Sequence, residues 1–184
     1  MRVIAGDHKG RRLAAPSGSS TRPTADRIKE SIFNILARTV EKKRVLDLFA
    51  GTGALGIEAL SRGACFAVFV DRQKAALDAI RQNIQTLKLT DRARIVNWDI
   101  RRNFDFLSSD TIPFDLVFMD PPYETNALIP VLSAMAGCEC LSGQARIVIE
   151  HSIRERLEPL PGSLALVDQR RFGKTLVSFV NPML

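Results

Sequence analysis

The sequence is poor in cysteine and histidine, with three cysteines and two histidines among its 184 residues. The cysteines are Cys65, Cys138 and Cys140, and the last two are spaced more tightly than in the usual zinc chelates. His8 and His151 are the only histidines that could complete such a site. We therefore expect three reduced thiols, with neither a disulfide framework nor a bound metal.

Long apolar runs are also missing from the chain. No run approaches the roughly 20 residues that a membrane-spanning helix needs, and residues 1–7 lack the apolar core of a secretory signal. We therefore expect a cytoplasmic protein without a membrane partner. Hydrophobic residues make up 46% and charged residues 25% of the chain, and the length suits one domain over residues 1–184.

Positive charge is concentrated in the first 44 residues. They hold eleven Lys and Arg against four acids, a net +7, whereas the whole chain carries +6, so residues 45–184 carry −1. A nearly neutral core, residues 45–184, therefore follows a basic N-terminal extension, residues 1–44. This asymmetry suggests a polyanionic partner, most simply nucleic acid, although a solvated basic face has the same composition.

The centre of the chain combines an apolar run, closely spaced glycines and a helical pattern. Residues 45–48 read as a buried parallel strand, and residues 53–62 as a helix. The glycines Gly51, Gly53 and Gly56, which span the turn and the start of the helix, match G-x-G-x-x-G. This motif lets a backbone turn approach a ligand closely. This plan is typical of a nucleotide-type cofactor site, and alone it fits NAD as well as S-adenosylmethionine.

Strands and helices alternate around this turn. We predict further strands over residues 65–71, 93–98, 114–119 and 145–150, with helices over 73–87 and 126–135 and a polar connection over 100–113. Residues 164–171 and 175–180 are predicted to close the sheet as an antiparallel hairpin. In the extension, residues 2–6 and 11–13 are predicted to pair, and residues 16–20 to form a flexible turn. These patterns indicate an α/β fold with a mainly parallel sheet.

A helix is predicted from Thr24 onwards, after Pro23. Its apolar residues Ile28, Ile32, Ile35 and Leu36 fall on one face. Arg27 and Lys29 lie off this stripe. We therefore expect these two basic side chains to be available to a ligand.

Four aspartates follow or lie within successive predicted strands: Asp47, Asp71, Asp99 and Asp120. The carboxyl ends of parallel strands meet at one edge of a sheet, where ligands bind, so we expect these acids to gather there. Asp71 can bind ribose hydroxyls, and Asp99 can accept a hydrogen bond from an adenine amine. Asp47 would repel a pyrophosphate but could hold an ammonium, which favours S-adenosylmethionine over NAD. Any one of these acids could otherwise be a cap or turn residue.

The sharpest motif is Asp120-Pro121-Pro122-Tyr123. The two prolines fix the backbone and remove two donors, which leaves a rigid turn with outward-facing carbonyls. An aspartate and a proline carbonyl can accept hydrogen bonds from one exocyclic amine and stabilise its developing positive charge. Tyr123 can stack on the base, so methyl transfer becomes mostly a matter of positioning. A simple turn at the end of a strand is the alternative, which the aromatic residue and the position after the fourth strand disfavour.

Together, residues 45–56, Asp71, Asp99 and residues 120–123 resemble the class I S-adenosylmethionine-dependent methyltransferases that act on exocyclic amines. Within that class, the chain resembles the RsmD family, which methylates guanine N2 in bacterial 16S ribosomal RNA. The segments that carry the likeness are residues 2–6, 9–13, 22–24 and 27–36, Glu150-His151 and residues 171–175. Lys174 departs from the family, which usually has an acid there.

The resemblance implies a Rossmann-like fold whose seven-stranded sheet ends in the antiparallel hairpin. It also implies a role for each matching residue. The cofactor S-adenosylmethionine would contact Asp47, Phe49, Gly51, Thr52, Gly53, Asp71, Arg72, Asp99 and Ile100, with Arg22 and Thr24 over the pocket. The target amine would be held by Asp120, Pro121, Pro122 and Tyr123, and RNA phosphates by Lys9, Arg11, Arg12 and Arg27.

The implied substrate is 16S ribosomal RNA, within the 30S subunit or an assembly intermediate, and nothing demands more than a monomer. An adenine-N6 methyltransferase is the nearest alternative, because the Asp120 motif serves both amines. A protein-glutamine methyltransferase is less favoured, since that family typically has Asn in place of Asp120. An NAD-dependent dehydrogenase fits the glycines alone, and a non-catalytic RNA-binding protein would leave the Asp120 turn unexplained.

Overall fold

The computed structural model describes residues 1–15, 23–108, 112–122 and 127–183, without the side chains of residues 23–25 and 38. In these ranges the helices are α1 (Pro23–Leu36), α2 (Ala54–Ser61), α3 (Lys74–Thr86) and α4 (Leu128–Ala136). The strands are β1 (Arg44–Leu48), β2 (Phe66–Asp71), β3 (Ala93–Asn97), β4 (Phe114–Met119), β5 (Leu141–Ser152), β6 (Leu164–Phe172) and β7 (Thr175–Pro182).

The strands described form one sheet in the order β3-β2-β1-β4-β5-β7-β6. The first five of these pair in parallel, and β7 pairs antiparallel with both β5 and β6. The mainly parallel seven-stranded sheet with an antiparallel C-terminal hairpin is therefore confirmed. From β1 the chain first adds strands on one side (β2, β3) and then on the other (β4, β5), so the strand order reverses between β1 and β4. The carboxyl ends of β1 and β4 therefore flank a crevice, which is where open α/β sheets bind ligands.

The sheet is buried on both faces. Along β1, Val45 belongs to an apolar cluster with residues of α1, α2 and α3, whereas Leu46 belongs to one with residues of α4. This alternation follows from the two-residue period of a strand. Phe33 of α1 packs on Phe118 of β4, with ring centroids 5.5 Å apart. We refer below to the side of the sheet that carries α1 and α2 as the α1 face.

Two expectations about connections and strands need correction. The segment after β3 is not simply polar, because Ile100, Phe104 and Leu107 are buried against the α4 side of the sheet. Strand β5 begins at Leu141, four residues earlier than predicted, since Leu141 pairs with Phe114 before a register irregularity in β4. Among the residues described, no helix is long and apolar enough to cross a membrane.

The beginning of the basic extension is a short hairpin docked on the core. Arg2 and Arg12 form an antiparallel bridge, as predicted. Glu58 of α2, fully buried, accepts hydrogen bonds from the backbone amides of Ile4 (2.7 Å) and Ala5 (3.0 Å). Farther along the hairpin, the amide of Asn83 donates to the carbonyls of both Ala14 and Thr52 (3.0 Å each). The extension is thereby tied to the glycine turn.

The expectation that Lys29 is available to a ligand as a surface cation is wrong. Its side chain is only 3% exposed, donates to the Arg2 carbonyl (2.6 Å) and lies 3.4 Å from Glu58. Burial lowers the pKa of Lys29, and the charge of Glu58 opposes that shift. Lys29 therefore holds the hairpin onto α1 and α2. Arg27, two residues earlier, is exposed as expected.

Candidate active site

A cleft of about 440 Å³ opens at the carboxyl ends of the parallel strands. Its size is within the range of small-molecule sites, about 300–1,000 Å³. The predicted residues that line it are Phe49, Gly51, Asp71, Arg72, Asp99, Ile100, Asp120, Pro121 and Pro122. The structure thus brings together the ends of β1, β2 and β4 with the segment after β3.

A second recess, of about 220 Å³, adjoins the cleft. Phe49, Gly51, Asp120 and Glu150 line both spaces. The recess lies on the α1 face and is also lined by Met1, Lys29, Asp47 and Thr52. The four aspartates are therefore divided between two adjoining spaces. Asp47, inside β1, faces the recess, Asp71 and Asp99 line the larger cleft, and Asp120 lines both.

The glycines have different roles in the turn. Gly51 lines both spaces, and a methyl group added there would meet only the Phe49 carbonyl, at 3.9 Å, so its lack of a side chain leaves room for a ligand. Gly53 caps α2 with φ +74°, a conformation that favours glycine. Gly56 sits against the core, where an added methyl would lie 2.4 Å from the Phe69 ring. Of the two glycines predicted to contact the cofactor, Gly51 lines both the cleft and the recess, and Gly53 lines neither.

Asp71, at the end of β2, joins the glycine turn to α3. One carboxylate oxygen accepts a hydrogen bond from the amide of Gly51 and the other from the amide of Gln73, both at 2.9 Å. These bonds fix the carboxylate at the wall of the cleft. Each oxygen retains a further lone pair, so a ribose hydroxyl can share this acid with the backbone.

Asp99 lines the same cleft, just after β3, and is held by two arginines. Arg101 donates to both carboxylate oxygens, at 2.9 and 2.6 Å, and Arg72 lies 3.5 Å away. The hydrogen bonds from Arg101, with the charges of both arginines, keep the pKa of Asp99 well below its usual range. An adenine amine would therefore bind an ionised acid that it shares with Arg101. Trp98 and Ile100 supply apolar surface beside it.

Asp47 is the buried acid of the recess, with only 2% of its surface exposed. One oxygen accepts a hydrogen bond from the Gly56 amide (2.9 Å), which lowers its pKa. Burial dominates, and with the charge of Asp71 it raises the pKa of Asp47 to about 8. A positively charged ligand would stabilise the ionised form of Asp47, because a buried anion needs a partner of opposite charge.

Asp120 follows β4 directly and opens into both spaces. Asp120 is an exposed residue at the mouth of these spaces. Desolvation by the surrounding protein atoms, followed by the negative charges of Glu150 and Asp47, nevertheless raises the pKa of its carboxyl group well above its ordinary value. Pro121 is buried and Pro122 is exposed, and both border the cleft. A positively charged methyl donor, and an amine that gains positive charge, would both be favoured beside this acid.

The remaining predicted residues lie elsewhere or outside the described ranges. Arg22 and Tyr123 are in undescribed segments, and Thr24 is in the first turn of α1, its side chain undescribed. Lys9, Arg11, Arg12 and Arg27 are exposed. Lys9 and Arg27 border a surface groove that also contains the acids Asp26 and Glu30, so the basic surface is mixed in sign there.

Several residues that line the two spaces were not predicted as site residues, among them Glu150, Trp98 and Arg101, and Lys29 was predicted only as a basic side chain available to a ligand. Trp98 could have been predicted from the sequence, because it immediately precedes Asp99. Glu150 also ends an apolar strand, as Asp120 does, and strand alternation places it on the α1 face with Val148. Lys29 carries no local signal, because its burial depends on Glu58 in another helix.

Comparison with known proteins places this geometry in a family. The model of the family described as "Conserved hypothetical protein 95" matches residues 1–181. The chain belongs to this family. It is 40% identical over 178 residues to the putative rRNA methyltransferase YlbH of Bacillus subtilis, covering 97% of each protein. It is 34% identical over 174 residues to ribosomal RNA small subunit methyltransferase D of Escherichia coli, covering 95% of this chain and 86% of that protein.

The solved structures agree with the sequence relatives. The structure of the putative methyltransferase yhhF from Escherichia coli superimposes with a TM-score of 0.87 at 33% identity, covering 99% of this chain and 97% of that one. The protein is therefore a methyltransferase of Rossmann-like fold, as the sequence resemblance implied, and S-adenosylmethionine is its methyl donor.

The residues of this methyltransferase fit that donor. Asp47 provides a buried carboxylate suited to the amino-acid ammonium, and Asp71 provides a fixed acceptor suited to the ribose. Asp99, Trp98 and Ile100 form a partly apolar end suited to a purine. The assignment of these individual contacts remains a prediction.

Proposed function

We propose that this methyltransferase transfers a methyl group to the exocyclic N2 of a guanine in 16S ribosomal RNA. The observation that carries the proposal is the likeness, over nearly the whole chain, to the Escherichia coli protein named ribosomal RNA small subunit methyltransferase D. The relative from Haemophilus influenzae with the same name, 35% identical over 178 residues, supports the same substrate class.

The mechanism follows from the Asp120 turn. S-adenosylmethionine supplies an electrophilic methyl group. The Asp120 carboxylate and the Pro121 carbonyl oxygen would accept hydrogen bonds from the two N–H groups of the amine, which orients the nitrogen lone pair towards the methyl group. Negative charge from Asp120 and Glu150 stabilises the positive charge that develops on the nitrogen. The target base must leave its stack to reach this turn, and Tyr123 would stack on it.

The exposed cations of the docked hairpin, Lys9, Arg11 and Arg12, are proposed to contact RNA phosphates, together with Arg27 of α1. Because the hairpin is held by Glu58 and Asn83, these charges have fixed positions relative to the cleft. We further propose that the enzyme acts as a monomer in the cytoplasm, on the RNA within the 30S subunit or an assembly intermediate.

The phosphate contacts can be tested by neutralisation. Replacing Lys9, Arg11 and Arg12 with Gln should weaken RNA binding and reduce the slope of log affinity against log salt by about 2 to 3. The matched control replaces three exposed cations away from the cleft: Lys42, Arg81 and Lys88. Equal affinity and slope in the two triple variants would refute the role of the hairpin.

The reaction can be tested with a labelled methyl donor. Wild-type protein should label the RNA of small subunits, and Asp120→Ala should not, although it still binds the donor. Label in DNA or in protein instead of ribosomal RNA would contradict the proposed substrate.

A further inference from the structure

Lys29 is a buried cation that borders the recess. Its side chain is almost fully enclosed by protein, yet it lines the recess together with Asp47 and the first two residues of α2, Ala54 and Leu55. The recess has a volume of about 220 Å³, so one small ligand can contact several of its walls at once. Lysines are seldom fully buried unless they are paired, and the partners of this one therefore decide what else it can bind.

The ammonium group of Lys29 has two protein partners. It donates a hydrogen bond to the Arg2 carbonyl (2.6 Å) and lies 3.4 Å from Oε2 of Glu58. The second contact is longer than an ordinary N–H···O hydrogen bond. Because an ammonium group carries three N–H donors, these two contacts hold it in place and leave room for a third acceptor.

The acid partner of Lys29 is shared with a second cation. Oε1 of Glu58 accepts a hydrogen bond from Nε of Arg62 (2.8 Å), while Oε2 lies beside Lys29. Asp26 also attracts Lys29, but more weakly than Glu58 does. One buried carboxylate therefore serves two basic groups in direct contact with it. A buried cation whose charge is only partly compensated gains from a further anionic partner.

The methyl donor brings an anionic group of this kind. Its amino-acid portion carries an α-ammonium and an α-carboxylate on one carbon atom, so the partners of both must face the same small space. Among the described residues that line the recess, the other charged side chains are acids: Asp47, Asp120 and Glu150. These suit the ammonium, and Lys29 suits the carboxylate. The first turn of α2 also lines the recess, and the amino-terminal end of a helix favours negative charge.

We propose that Lys29 binds the α-carboxylate of S-adenosylmethionine from inside the protein, while Asp47 pairs with the α-ammonium. Lys29 is then a cofactor-binding residue, although it is not a surface cation. The Arg2 carbonyl and Glu58 fix its ammonium group at the wall of the recess. This role concerns the methyl donor alone and goes beyond the proposed RNA target, on which it does not depend.

The test compares S-adenosylmethionine with its decarboxylated analogue, which keeps the sulfonium, the ammonium and the nucleoside. Calorimetry at pH 6.5 without RNA keeps the amino groups of both ligands largely charged. Wild type should bind the intact methyl donor at least about tenfold more tightly, because only this ligand gains a hydrogen bond between charged groups. Lys29→Met has no donor to offer and should bind the two ligands within about threefold of each other.

Arg62→Met is the matched control. Arg62 is the other cation beside Glu58, but the described lining of the recess does not include it. This substitution disturbs the same ion group as Lys29→Met and should keep the wild-type preference for the intact methyl donor. Lys29→Arg retains the positive charge and should also keep the preference. Since each variant is compared on two ligands, a loss of stability alone leaves the ratio unchanged.

Equal affinity of wild type for the two ligands would overturn the role of Lys29 without any variant. The role also fails if Lys29→Met keeps the wild-type ratio, because another group then holds the carboxylate. If Arg62→Met loses the ratio as fully as Lys29→Met does, the effect comes from the ion group as a whole and not from a contact with Lys29. The proposed function is judged separately: with the predicted preference but no N2-methylguanosine, the RNA target fails and the role of Lys29 stands.

Discussion

Asp47 should couple the binding of S-adenosylmethionine to pH. Its carboxyl group is buried and has a pKa raised to about 8, so it is largely protonated at neutral pH. An ammonium group bound beside it requires the ionised form, and binding must then release the proton. Each pH unit below 8 should cost about tenfold in affinity, or about 1.4 kcal/mol. Between pH 6 and pH 7.5 the affinity should rise about 20-fold, a range in which an amino group of pKa about 7.8 stays mostly charged.

Calorimetry in two buffers of different ionisation enthalpy measures this proton directly. At pH 6.5, wild type should release close to one proton per S-adenosylmethionine bound. Asp47→Asn should bind more weakly, with little proton release and a flatter pH dependence. Asp91→Asn, which alters an exposed acid outside the site, should behave like wild type. If the affinity of wild type for S-adenosylmethionine does not change with pH and binding releases no proton, the pairing of Asp47 with the ammonium is refuted.

The same group should also affect stability without ligand. Because the folded protein binds the Asp47 proton more tightly than the unfolded chain does, its contribution to stability is greatest below pH 4. Stability should fall by up to about 1.4 kcal/mol per pH unit as pH rises from 4 towards 8. Chemical denaturation of Asp47→Asn should lack this component. A steeper fall in the variant than in wild type would contradict the sign of the shift.

Three further substitutions test other parts of the structure. Asp120→Asn should reduce kcat at least about 100-fold while changing donor affinity little, because an uncharged amide stabilises the developing positive charge poorly; single-turnover kinetics and calorimetry separate these effects. Glu58→Gln should destabilise the fold by about 3–5 kcal/mol in denaturant unfolding, since Lys29 would stay buried without a counter-charge. Gly6→Ala should detach the hairpin, seen as faster amide exchange, because the methyl would lie 1.8 Å from the Ser61 carbonyl oxygen. Gly10→Ala, also at positive φ but in open space, should show only backbone strain of about 1 kcal/mol.

The sheet was largely predictable from the sequence. Strand β4 has the predicted bounds, and β1, β2 and β3 begin or end within one residue of the expected positions. Their apolar runs are short and bounded by glycines or charged residues, which is the pattern of strands buried on both faces. The C-terminal hairpin was equally clear, because Gly173 interrupts two alternating runs.

The parts that failed depend on contacts between distant segments. Lys29 has the spacing of a surface residue, and its burial follows from Glu58, which also binds the hairpin. Four aspartates were predicted to gather at one edge of the sheet, but their division between two adjoining spaces depends on the position of Asp47 inside β1. The position of Glu150 in the same two spaces as Asp120 depends on the parallel pairing of β5 with β4.

The most direct test of the account is the identity of the methylated nucleoside. Small subunits from a strain lacking the endogenous enzyme would be incubated with this protein and S-adenosylmethionine, and the nucleosides of the 16S RNA analysed by mass spectrometry. New N2-methylguanosine, dependent on Asp120, is the expected product. N6-methyladenosine alone, or no methylated nucleoside despite measurable donor binding, would contradict it.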